Sequence, residues 1–111
     1  MPDATVTELI AAASADATAA RLDASVSLLQ AVADPIRWTV LNRLASKASC
    51  VCELQERVPI AANLLSYHLK VLRDVGLVTT SRRGRWIDYT LAGDALDRLH
   101  AALPGTGQAR P

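Results

Sequence analysis

The chain has little of what would staple, export or anchor it. Cysteine occurs twice in 111 residues, as Cys50-Val51-Cys52. That spacing closes only a strained ring and no long loop, so the two sulfurs matter as thiols. No apolar run approaches the ~20 residues of a membrane helix, and Met1-Pro2-Asp3 lacks the basic start of a secretory signal. The cytoplasm is the expected compartment, with no membrane partner. Net charge is nearly absent at +1, yet it is unevenly placed. Residues 1–34 carry one Arg against five acids, and residues 35–111 carry eleven Lys and Arg against six acids. A basic C-terminal two-thirds is compatible with a polyanion partner, although charge of this size also occurs on ordinary soluble domains.

What is present should fold. Hydrophobic residues make up 50% of the chain and charged residues 21%, enough for a single domain with one modest core. Thr5 to Ala33 holds no Gly or Pro, and Leu9, Ile10, Ala13, Ala17 and Ala20 recur at helical spacing, with a candidate interruption near Asp23. Leu22, Val26, Leu29 and Val32 extend the stripe beyond what one short helix needs against its own domain, leaving apolar surface for a partner chain. Asp34-Pro35 supplies an N-cap and a first-turn proline for a second helix, which buries Ile36, Val40, Leu41 and Leu44 and ends near Ala45. Ser49 or Cys50 caps a short third helix, with both cysteines in its first turn and Pro59 as its stop.

Ala61 to Val75 reads as a fourth helix, with Leu65, Leu69 and Leu72 inward and Gly76 as its left-handed close. Its opposite face carries Asn63, Ser66, Tyr67 and Lys70. Leu77–Thr80 and Trp86–Leu91 are β-prone runs around Ser81-Arg82-Arg83-Gly84-Arg85, which makes a hairpin with an arginine-rich tip. A last helix spans about Asp94 to Leu103, and the polar tail 104–111 is expected to be disordered. Trp38 and Trp86 are assigned to packing, and His68 to a packed, hydrogen-bonded helix position.

Two helices joined by a tight turn and followed by a hairpin give the order of a winged helix-turn-helix. The residues go further. Leu65-Ser66-Tyr67-His68-Leu69-Lys70-Val71-Leu72-Arg73-Asp74-Val75-Gly76-Leu77-Val78 resembles the recognition-helix segment of the ArsR/SmtB (arsenical-resistance) repressors. Ala33-Asp34-Pro35-Ile36-Arg37 is similar to the start of that family's second helix. Gly84-Arg85 with Tyr89-Thr90-Leu91 resembles its wing, and Cys50-Val51-Cys52-Glu53-Leu54 resembles the thiol motif of its arsenic- and cadmium-sensing branch.

The resemblance implies a mainly α fold with a β-hairpin wing, in helices-hairpin-helix order. Residues 1–103 would form a single domain, with 1–33 as dimerisation helices, 61–75 as the recognition helix and 77–91 as the wing. It also implies a homodimer through the first and last helices, bound to double-stranded operator DNA and released by an inducer. Asn63, Ser66, Tyr67, Lys70, Arg82, Arg83 and Arg85 are the candidate DNA contacts: Asn63 suits an adenine edge, and the others suit phosphates or a narrow minor groove.

Cys50 and Cys52 are the candidate metal ligands. A helix start favours thiolate, the form that binds soft ions. The position where arsenic sensors often carry a third cysteine is Gln55. Two thiolates plus water or an outside ligand suit trivalent arsenic or antimony, whereas cadmium or zinc normally takes four donors. On a regular helix, residues two apart point about 200° from each other, so one atom held by both sulfurs would deform that turn. No organic cofactor is implied.

Alternatives stay open at this point. The same fold could respond to thiol oxidation or persulfide chemistry. A dithiol redox enzyme is more distant, because no βαβ pattern surrounds the Cys-x-Cys. The zinc-sensing branch uses carboxylates and histidines on the last helix, where this chain has Asp94, Asp97 and His100. Asp97 and His100 could meet their symmetry mates in a dimer, or simply be solvated.

Overall fold

The structure is a computed structural model that describes residues 2–105, with side chains from residue 15 onward. The expected disordered tail therefore lies, from residue 106, outside the described residues. The chain opens with one continuous helix, α1 (Pro2–Val32). The interruption expected near Asp23, and with it more than one N-terminal helix, is absent. Beyond Pro2 the segment is Ala-rich and free of helix breakers, and Asp23 is an exposed position that the helix tolerates.

Helix α2 (Pro35–Ser46) starts where its sequence says it should. Asp34 is extended at φ −133° and accepts the backbone N–H groups of Ile36 at 2.9 Å and Arg37 at 3.1 Å, with Pro35 in the first turn. Next come β1 (Ser49–Cys50), α3 (Val51–Arg57) and α4 (Ala62–Asp74). Two paired backbone bonds close α4, from Gly76 N–H to the Arg73 carbonyl at 2.9 Å and from Leu77 N–H to the Leu72 carbonyl at 3.0 Å. This close needs a left-handed residue, and Gly76 supplies it at φ +79°. The wing strands β2 (Val78–Arg83) and β3 (Trp86–Leu91) follow, and α5 (Ala95–Ala102) ends the fold.

The sheet has three antiparallel strands in the order β1-β3-β2. Ser49 lies opposite Tyr89 and Cys50 opposite Asp88, so the residues just before α3 are stitched to the wing. Sequence reading expects only the hairpin, because two residues are too few to show a strand period.

The core is aliphatic. Leu28 and Ala31 of α1, Val40 and Leu44 of α2, Leu54 of α3, and Leu65, Leu69 and Leu72 of α4 converge on Leu77, Val78 and Ala95. Full burial of a leucine contributes roughly 1.5–3 kcal/mol, so the three inward leucines of α4 dominate the placement of that helix. Neither tryptophan packs as expected: Trp38 is 59% exposed and Trp86 50% exposed. Trp38 lies on the rim of an apolar groove between α2 and α5, and Trp86 opens β3 at the far end of the hairpin, away from the core.

Candidate functional site

The outer face of α4 is built by default, since the leucines that anchor the helix turn its opposite side outward. Asn63, Ser66, Tyr67 and Lys70 are all exposed, as sequence spacing predicts. Leu64 is exposed beside them at 45%, an apolar side chain on the same presenting surface. Lys70 is held by Asp74 one turn on, at 2.8 Å, an exposed pair that water and salt readily exchange. His68 is buried and shares a hydrogen bond with the Arg37 guanidinium, Nη1 to Nδ1 at 3.0 Å, as the packed reading expects.

Two guanidiniums tie α4 to its neighbours. Arg37, at the start of α2, also donates through Nε to the Ala31 carbonyl near the end of α1, at 2.6 Å. One residue thereby joins α1, α2 and the middle of α4. Arg98 of α5 donates to the carbonyls of Val75 and Gly76, at 2.7 and 2.8 Å, where α4 leaves its last carbonyls without helical partners. Sequence reading identifies neither tether, since an arginine among leucines on a short helix looks like an ordinary solvated position.

The wing arginines divide into two kinds. Arg82 and Arg85 are exposed, and no ion pair among the described residues holds them. Arg83 instead makes a two-bond contact with Asp88 across the hairpin, at 2.8 and 3.2 Å. Each partner stabilises the other's charge: the Arg83 hydrogen bonds hold the Asp88 carboxyl below its ordinary range, and Asp88 raises the Arg83 guanidinium.

The two thiols occupy different settings. The expectation that both cysteines lie in the first helical turn fails for Cys50, which is the residue before it, extended at φ −80° and ψ 171° and buried in β1. Cys52 lies in the first turn of α3 and is exposed. The separation of the thiols is therefore that of a strand residue from a helix residue, and not of two residues on one regular helix. Glu53 reaches back to accept the Cys50 N–H at 3.2 Å, and its carboxylate also meets Lys47 at 3.4 Å. The Cys50 amide, then the Cys50 thiol, then Lys47 lower the Glu53 pKa.

Among the described residues, no group of three or more His, Cys, Asp or Glu side chains is arranged to hold a metal ion. Asp97 and His100 are both exposed on α5 and are not gathered with a third ligand. No helix among the described residues is long and apolar enough to cross a membrane. Apolar surface is instead exposed on α1 at Leu22 and Val26, on α5 at Leu96, and at Leu103 just after α5, with Leu96 76% exposed.

Comparison with known proteins places this geometry in context. A family profile described as "Bacterial regulatory protein, arsR family" matches residues 34–80, from the cap of α2 into β2. The HTH-type transcriptional repressor SmtB of Mycobacterium tuberculosis H37Rv is 41% identical over 88 residues, covering 79% of this chain and 64% of SmtB. The arsenical resistance operon repressor of Bacillus subtilis is 35% identical over 71 residues, covering 63% of this chain and 68% of that protein. Among solved structures, the homodimeric winged helix-turn-helix DNA-binding domain from Mycobacterium bovis, a possible ArsR-family regulator, superposes with a TM-score of 0.69 at 30% identity. That match covers 78% of this chain and 80% of the domain.

Proposed function

The chain belongs to the ArsR family of bacterial regulatory proteins, and from that premise we propose that it is a homodimeric transcriptional repressor whose hold on operator DNA is released by a soft metalloid at Cys50 and Cys52. Helix α4 is the reading element. Asn63 pairs with an adenine edge, Leu64 meets a thymine methyl, and Ser66, Tyr67 and Lys70 reach bases or phosphates. Arg82 and Arg85 hold the backbone or the minor groove, and Arg83 does so in the orientation that Asp88 gives it. The exposed apolar residues of α1 and α5 form the seam with a second copy.

The observation that carries the reading is the place of one short segment. Ser49-Cys50-Val51-Cys52 is at once a strand of the wing sheet and the start of α3, which packs under α4. Chemistry at these thiols therefore acts between the two DNA-facing elements. Two sulfurs with no third donor gathered beside them among the described residues fit trivalent arsenic or antimony, which can keep a hydroxide or take an outside ligand, better than four-coordinate zinc or cadmium.

Gel shifts under strong reductant test the proposal. Arsenite releases the parent protein, while Cys50→Ser and Cys52→Ser bind operator like the parent and resist release. A variant released as readily as the parent removes that sulfur from the site, and release that occurs only without reductant assigns the response to thiol oxidation.

A further inference from the structure

Residues directly opposite each other in an antiparallel pair put their side chains on the same face of the sheet. Cys50 opposes Asp88, and Asp88 opposes Ser81 on the other side, so these three form one row across the sheet. Arg83, two residues along β2 from Ser81, is on that face too, and its guanidinium grips Asp88. The buried thiol thus adjoins the carboxylate that orients a wing arginine. Asp88 is itself well covered, its side chain 17% exposed against 64% for Arg83.

We propose that Asp88 is a positioning residue that links the thiol pair to the wing, and that occupancy of Cys50 breaks the β1–β3 pairing and releases Arg83 from Asp88. The inference rests on the thiol-site reading above. In the binding step, two S–H groups condense with the trihydroxide of arsenic(III). Two S–As bonds replace two As–O bonds, two waters leave, and no electrons are transferred.

Cys50 is buried, at 9% exposure, so an atom bound to its sulfur has to be admitted by the structure that covers it. Cys52 is exposed, so one atom held by both sulfurs would have to join a solvent-facing position to a covered one. The weakest structure adjoining them is β1, whose pairing consists of two residues against the six of β2. Breaking that short pairing is therefore the least costly adjustment. β3 is the central strand, so its loss of β1 passes directly to the row containing Asp88.

The test compares operator affinity with and without arsenite for the parent and for Asp88→Asn, under reductant. The ratio of the two affinities is the readout, so any change in unliganded binding cancels. The parent is expected to show a ratio of about a hundred, equivalent to ~2.7 kcal/mol of coupling. Asp88→Asn is expected to fall below about tenfold while still taking up arsenite by thiolate absorbance. Arg83→Gln breaks the same pair from the other side and is expected to lower the ratio likewise, which covers an Asp88 variant that does not fold. In DNA-free parent protein, arsenite is expected to speed hydrogen exchange in residues 86–91. An Asp88→Asn ratio equal to the parent's, or unchanged exchange in β3, overturns the link and leaves the thiol site standing. A parent ratio of one overturns the thiol-site reading itself, and the link falls with it.

Discussion

Asp34 carries the start of α2 almost alone, and its chemistry makes a pH prediction. The Arg37 amide, the Arg37 charge and the Ile36 amide hold its carboxyl below the ordinary aspartate value, outweighing partial burial. Glu53 and Asp88 are shifted in the same direction. A carboxylate with a depressed folded pKa leaves the unfolded chain binding more protons, so its contribution is complete above the unfolded value and is lost as pH falls through the folded one. Stability should therefore decline as pH drops below about 4. Asp34→Ala should cost about 1 kcal/mol at neutral pH, and its deficit against the parent should shrink in acid. Urea midpoints at the two pH values check both statements, and a deficit that does not change with pH contradicts them. Sequence made this cap legible, because Asp-Pro before an apolar stripe has one common meaning. It did not reveal Asp88, which alternates with apolar neighbours along β3 and is distinguished only by Arg83 across the turn.

At the scale of elements, the helices were readable wherever leucine spacing or a terminus signal set them. Helix α4, closed by Gly76, was placed to within a residue or so at each end. Strand β1 was not readable, since two residues display no alternation and their partner lies nearly forty positions away. The break expected in α1 failed for the opposite reason: a single aspartate does not overcome an Ala-rich helix. Arg98 carries no such signal in the sequence, although it caps α4 from α5 and lies where a side chain at Gly76 would meet it, 2.7 Å from the added Cβ. Arg98→Ala should cost about 2 kcal/mol, the scale of hydrogen bonds to a charged donor. It should also weaken operator binding by letting the end of α4 loosen. Arg98→Lys should recover only part of the loss, because an ammonium cannot fork between two carbonyls. Unfolding of Arg98→Ala at the parent's urea midpoint contradicts the tether.

Over the whole molecule, shape and surface point the same way. The radius of gyration is 19.0 Å and the long axis 65 Å, against about 13 Å for the radius of a compact chain of some hundred residues. Helix α1 projects from the body with Leu22 and Val26 exposed, and α5 with the residue after it adds Leu96 and Leu103. The excess apolar stripe was visible in the sequence as more than one domain needs. The exposed tryptophans were not, because burial of a side chain depends on which layers exist around it. Arsenic(III) binding by the thiol segment and loss of operator affinity are, on this account, one event. Its most direct test is to titrate the reduced protein on fluorescent operator with arsenite, recording thiolate–arsenic absorbance and DNA anisotropy from the same cuvette. The two curves should coincide and saturate at one equivalent per protomer. Full thiol occupancy with anisotropy unchanged would contradict the account.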